Sequence, residues 1–171
     1  MKVILYMATS VNGNITNGEE NSDWVKKSDW EHFNKITSGS KVMVMGSVTY
    51  KQFEDDFPQK QALNIVVTNK PELLNLKIDG AIFTSKSPVE IVKMVSDMGF
   101  TQLALVGGEK LNSSFLKEDL IDEIYVDIHP LLIGKGKKLF GEIQGLFKQL
   151  KLVDVKEIGE DLILLHYRVL K

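Results

Sequence analysis

The order of apolar runs and helix signals predicts an α/β domain. Its sheet should be mainly parallel, with helices on both faces and an antiparallel C-terminal hairpin. Three observations predict this. Short runs rich in Val, Ile, Leu and Met alternate with helix starts through the first two-thirds of the chain. These runs are nearly continuous rather than alternating, as in strands covered on both faces. The last two runs, Leu152 to Ile158 and Asp161 to Leu170, follow one another across Gly159 with no helix between them.

Val3 to Ser10 reads as the first strand. Asn12-Gly13 then turns, and residues 16–23 form a polar loop, either plain surface or a lid. Ser28-Asp29-Trp30-Glu31 has the form of a capping box, predicting a helix from Asp29 to about Thr37 that stops at Gly39. Trp30, Phe33 and Ile36 would be its apolar face. Lys41 to Gly46 is a strand, and Ser47 to Tyr50 opens a short helix. Leu63 to Thr68 and Ala81 to Thr84 are further strands. Ser87-Pro88-Val89-Glu90 is a second capping box, with proline at the first helical position, for a helix running to Met98. Leu103 to Val106 is a strand ending at Gly107-Gly108. A helix from Glu109 to Leu116, a strand from Glu123 to Ile128 and a loop with Pro130, Gly134 and Gly136 follow.

Composition narrows the function. The chain has 171 residues, enough for one domain with a sizeable core, and a net charge of −2, which leaves no nucleic-acid footprint. No apolar run approaches the roughly 18 residues that cross a membrane, and MKVILYMATS reads as a strand rather than a signal peptide. Without cysteine there is no disulfide, thiolate metal site or cysteine nucleophile, which suits the cytoplasm. His32, His129 and His166 are scattered, with no metal-ligand spacing.

Two strands stop at glycine and open into a helix: Gly46 before Ser47 and Thr49, and Gly107-Gly108 before Glu109 and Lys110. Such junctions seat phosphates, because glycine lets the backbone approach and helix starts offer unpaired N–H groups. They also serve as plain turns or N-caps, and no G-x-G-x-x-G fingerprint is present. If Gly46, Thr68-Asn69 and Gly107-Gly108 lie side by side, they form one dinucleotide-sized groove.

Five short motifs, in order, carry a resemblance that covers nearly the whole chain. They are Ser10-Val11-Asn12-Gly13-Asn14-Ile15, Met45-Gly46-Ser47-Val48-Thr49-Tyr50, Val106-Gly107-Gly108, Leu120-Ile121-Asp122-Glu123 and Pro130-Leu131-Leu132-Ile133-Gly134-Lys135-Gly136. The sequence resembles the dihydrofolate-reductase-like superfamily and, within it, the reductase domain of riboflavin biosynthesis. That resemblance implies a three-layer fold, NADPH as hydride donor, a small-molecule substrate and a homodimer. The pyrophosphate would lie against Gly46, Ser47, Thr49, Gly107 and Gly108, with Lys110 adding charge. Thr68, Asn69 and Lys70 would meet the adenine end. Ser47 stands where the family usually has arginine, so a phosphate-pairing cation is missing.

Asp29 matches the helix carboxylate that serves proton delivery in dihydrofolate reductases, with Asn12, Trp24 and Phe33 as its substrate-side companions. A carboxylate in the first helical turn is equally explained by the helix dipole. His129 could face the pocket or be an ordinary core histidine. Dihydrofolate reductases hold the folate tail with an arginine before the third strand. Here Gln59-Lys60-Gln61 stands there, and the only arginine is Arg168. A smaller substrate is therefore expected, of the phosphoribosylaminopyrimidine type, with Lys135 to Lys138 as a candidate phosphate contact. Dihydrofolate reduction and nucleotide binding without turnover are the alternatives. The zinc deaminase often fused to such reductases needs cysteines that this chain lacks.

Overall fold

The structure, a computed structural model, describes residues 1–18, 21–59 and 61–171. Eight strands form one sheet: β1 (Lys2–Ser10), β2 (Val42–Gly46), β3 (Leu63–Val67), β4 (Ala81–Thr84), β5 (Gln102–Leu105), β6 (Glu123–His129), β7 (Leu150–Glu157) and β8 (Ile163–Val169). Their order is β4-β3-β2-β5-β1-β6-β8-β7. All pairs are parallel until β8, which runs antiparallel to both β6 and β7. The helices are α1 (Lys27–Thr37), α2 (Ser47–Gln52), α3 (Pro71–Leu74), α4 (Pro88–Asp97) and α5 (Glu109–Lys117).

Strand side chains alternate between two cores, as the pleat requires. Val3, Leu5, Val44, Leu103 and Leu105 pack with Ile91 and Val95 of α4 and Phe115 of α5. On the other face Met43, Met45, Val66 and Ala104 pack with Tyr50 and Leu73, while Tyr6 and Leu164 meet Phe33 and Ile36 of α1. Among the described residues, no helix is long and apolar enough to cross a membrane.

The Ser87 capping box forms: Glu90 N–H donates to Ser87 Oγ, and Ser87 N–H donates to the Glu90 carboxylate at 2.9 Å. The Ser28 box does not form. The helix starts earlier, at Lys27, and the Ser28 N–H donates instead to the Glu160 carboxylate at 3.1 Å. The Ser28 hydroxyl bonds the same oxygen. A carboxylate from the β7–β8 turn thus displaces the local cap. Asp29 is accordingly not the first helical residue. It lies on the buried face of α1, 4% exposed, while Trp30 is 36% exposed. Sequence signals also missed α3 and a one-turn 3-10 helix at Glu54–Asp56.

Candidate active site

The strand order places the carboxyl ends of β3, β2, β5 and β1 side by side. A cleft of about 1350 Å³ opens there, in the position expected of ligand sites in open α/β sheets.

Its first half is a glycine cradle. Gly46 N–H donates to Gly107 C=O at 2.8 Å, joining the ends of β2 and β5. Gly107 has φ +95°, and a Cβ there would stand 2.8 Å from Met7 Sδ. Only glycine fits that conformation without strain. Gly108 is the N-cap of α5 and brings no side chain to the N–H groups of the first turn. Ser47, Thr49 and Lys110 line the cleft beside these backbone groups. Farther along, Thr68 and Asn69 line it at the end of β3, with Ser85 and Lys86 next to them at the end of β4.

Its second half is aromatic and acidic. Trp30 stands edge-on to Phe33 and Phe53, with ring centroids 5.6 and 5.4 Å apart. All three line the cleft, as do Tyr6 and Asp29. The Tyr6 hydroxyl donates to Asp29 Oδ1 at 2.7 Å. That bond holds the carboxylate against the sheet. Burial, and then the neighbouring Asp29 charge, push the Tyr6 hydroxyl well above the usual tyrosine range, so it stays a donor.

Behind Asp29 lie Asp127 and His129, both fully buried. Burial, together with the adjoining Asp29 carboxyl, holds Asp127 well above the usual carboxylate range. His129 accepts a hydrogen bond from the Lys26 N–H at 3.1 Å on Nε2, so its proton belongs on Nδ1. Burial pulls its pKa down, which keeps it neutral.

Nine expected residues therefore meet in one cleft: Asp29, Phe33, Gly46, Ser47, Thr49, Thr68, Asn69, Gly108 and Lys110. Four do not line it. Gly107 contributes backbone shape from beneath. Lys70 is exposed, its N–H turned to Thr68 Oγ1. Asn12 bonds both the N–H and C=O of Ile133, tying two loops together. Trp24 packs edge-on against His129 at 4.9 Å, so it braces the wall from outside the cleft. His129 is a core residue rather than a cleft residue. Of the 135–138 loop, Lys137 reaches the cleft, whereas Lys138 bonds Asn12 C=O at 3.1 Å. Thr16 and Ser22 of the early polar loop line the cleft, but Glu19, Glu20 and Lys60 lie outside the described residues. Arg168 is on β8, away from the cleft. Among the described residues, no group of three His, Asp or Glu side chains could hold a metal.

Sequence reasoning missed Tyr6, Lys86 and Asp127. The signal for Asp127 was present: Glu123, Tyr125, Asp127 and His129 put ionisable groups at every second position of β6, alternating with Ile124, Val126 and Ile128.

An open parallel sheet with a glycine cradle at one end of its cleft and a buried carboxylate at the other defines a dihydrofolate-reductase-like fold. Residues 1–164 match the model of the RibD C-terminal domain family, and the chain belongs to that family. It is 26% identical to the Bacillus subtilis protein YwjB, an uncharacterized protein, over 97% of each chain. Two solved structures share the fold. One is the Thermotoga maritima diaminohydroxyphosphoribosylaminopyrimidine deaminase/5-amino-6-(5-phosphoribosylamino)uracil reductase, with TM-score 0.78 and 16% identity, covering 99% of this chain and 56% of that one. The other is Enterococcus faecalis dihydrofolate reductase complexed with NADP(H), with TM-score 0.75 and 17% identity, covering 98% and 96%.

Proposed function

We propose that this protein is an NADPH-dependent reductase of a pyrimidine- or pterin-like heterocycle, most like 5-amino-6-(5-phosphoribosylamino)uracil. The observation that carries this reading is the Asp29 carboxylate, buried in a cleft wall and held by Tyr6, across from an uncapped helix start in a glycine cradle.

The residues present fit a dinucleotide. Gly46 and Gly108 line the cleft with backbone and no side chain, which suits a pyrophosphate. Lys86, Lys110 and Lys137 line the same cleft and offer positive charge in place of the arginine that Ser47 replaces. When bound, the reduced nicotinamide supplies a hydride. The chain's own residues then do two things. The aromatic wall of Trp30, Phe33 and Phe53 stacks a flat heterocycle. Asp29 accepts from its ring N–H groups and delivers the proton that a C=N nitrogen needs once its carbon has been reduced. Arg168 lies away from the cleft, which favours a substrate without a glutamate tail.

A homodimer is part of this proposal. β7 is an edge strand, and Leu150, Leu152, Val153 and Val155 along it are 43–51% exposed. An apolar edge of this kind calls for a partner.

The test is titration of the purified protein with NADPH and NADH by fluorescence, followed by turnover of pyrimidine and pterin substrates. Micromolar NADPH binding with oxidation of NADPH by a heterocycle supports the reading. Tight binding without hydride transfer to any of them supports a nucleotide-binding protein without turnover. No binding of either nucleotide overturns the reductase.

A further inference from the structure

Asp127 sits on β6 beside Ala8 of β1 and Leu164 of β8, on the sheet face that carries Tyr6. Among the described residues, neither of its carboxyl oxygens receives an N–H or O–H donor. The groups that face it are the Asp29 carboxyl from α1, the Tyr6 hydroxyl from β1 and the His129 ring from its own strand. Lys26 and Glu160 stand behind His129. The Tyr6 hydroxyl is already committed to Asp29. His129 Nδ1 is 3.8 Å from Asp127 Oδ1, too long for a hydrogen bond.

An ionised Asp127 would therefore be a buried, unpaired anion beside a second carboxylate. A protonated Asp127 becomes a donor within reach of Asp29, and the same geometry gains a carboxyl–carboxylate hydrogen bond. Two carboxyls so placed share one proton, and the second ionisation is resisted. A solvated aspartate has lost its proton at neutral pH; such a pair has kept one.

We propose that Asp127 is the proton reserve of the cleft, a positioning residue that holds a proton for Asp29 to pass to the substrate. This rests on the reductase reading above. At the reducing step one O–H bond of the pair breaks and one N–H bond forms on the substrate. The O–H electrons stay on the carboxylates. The pair, then doubly ionised, recovers a proton from water after product departs.

Two measurements test this. The first needs no substrate: NMR titration of isotope-labelled aspartate carboxyl carbons in the wild-type protein from about pH 4 to about pH 10. One step well above the ordinary aspartate range is expected; it should vanish in Asp127→Asn and move down in Asp29→Asn, where burial alone still holds it up. The second is the pH profile of turnover. Asp127→Asn should move the alkaline limb of kcat to lower pH by about one unit and cut kcat at about pH 8 by roughly tenfold or more. KM for NADPH should hold. Asp127→Ser is the second variant should the asparagine protein fold poorly. A wild-type titration with no elevated step overturns the proton reserve and leaves the reductase intact. An elevated step with an unchanged kcat profile in a folded variant overturns it too, since the proton is then structural. Absence of turnover in the wild-type protein overturns the reductase, and the proton's destination with it.

Discussion

Tyr6 and Asp29 meet across the gap between the central strand β1 and helix α1, hydroxyl to carboxylate at 2.7 Å. The bond turns an amphipathic helix inside out at one position: the charged residue faces the sheet, and Trp30 faces the cleft mouth. Removing either partner should be felt in chemistry before stability. Asp29→Asn is expected to lower kcat about a hundredfold. Tyr6→Phe should lower it about tenfold while costing about 1 kcal/mol of stability. Steady-state kinetics beside urea unfolding checks both. A full loss of stability with kcat per folded molecule unchanged would return Asp29 to a purely structural role.

Stability should depend on pH in two opposed ways. Asp127 is pushed up to about 8 by burial, so the native protein holds a proton that the unfolded chain has already released. Stability therefore falls as pH rises from the ordinary aspartate range, about 4, through that raised value. Burial lowers the His129 pKa, so the unfolded chain takes up a proton that the native protein refuses. That contribution is lost as pH falls below about 6.5. Above about 6.5 only the Asp127 slope of the two remains. Urea unfolding between about pH 6.5 and pH 8 should show the decline in the wild-type protein and a much flatter line in Asp127→Asn.

Gly136 packs face to face with the Thr16 backbone, and a Cβ at that position would run into the Thr16 carbonyl. Nearby, Ile15 N–H donates to Lys137 C=O at 2.8 Å, and Lys137 N–H donates to Thr16 Oγ1 at 3.0 Å. Gly136→Ala should part these two loops and loosen the cleft rim. The expected loss is on the order of 1–3 kcal/mol, with a rise in KM for both nucleotide and heterocycle. Gly134→Ala, where a Cβ meets nothing within 4 Å, is the control and should behave as wild type.

Lys86 lines the cleft next to Thr68, at the end where the adenosine of a dinucleotide would lie. Lys86→Ala should weaken NADPH binding about tenfold, near 1.4 kcal/mol, and leave NADH binding unchanged. Equal losses for both nucleotides would place the charge elsewhere along the phosphates.

The edge strand β7 gives a test of assembly. Val155→Glu should convert a dimer to a monomer in sedimentation velocity without changing the circular dichroism spectrum. A wild-type protein that sediments as a monomer at about 100 μM would remove the homodimer proposal.

The elements were legible where their determinants are local. Strands such as Val42–Gly46 announce themselves by apolar, β-branched content, and the Ser87 box holds both of its halves within four residues. The glycine cradle was legible because glycine's role is also local. What was hidden is what the sheet brings together from afar. The Ser28 box looks sound on its own, yet its partner is Glu160, 132 residues away. Asp29 has two adequate explanations from sequence alone. Tyr6, 23 residues earlier, meets it in the interior, a contact that no local pattern announces. Asn12 and Trp24 were assigned to the substrate by motif position. In the folded chain Asn12 bonds Ile133 of a second loop, and Trp24 packs on His129.

The strand order has a consequence for how the molecule is made. β1 precedes the other seven strands in the chain, yet its neighbours are β5, in register Lys2 to Gln102, and β6, in register Ile4 to Glu123. Both of its edges stay open on the ribosome until most of the chain has emerged. The buried cluster is split in the same way, with Tyr6 and Asp29 about a hundred residues before Asp127. Translation halted before β6 would yield a chain that has the residues of the glycine cradle but lacks Asp127 behind Asp29. Folding of the whole is expected to be slowed by these contacts, which join residues a hundred or more positions apart.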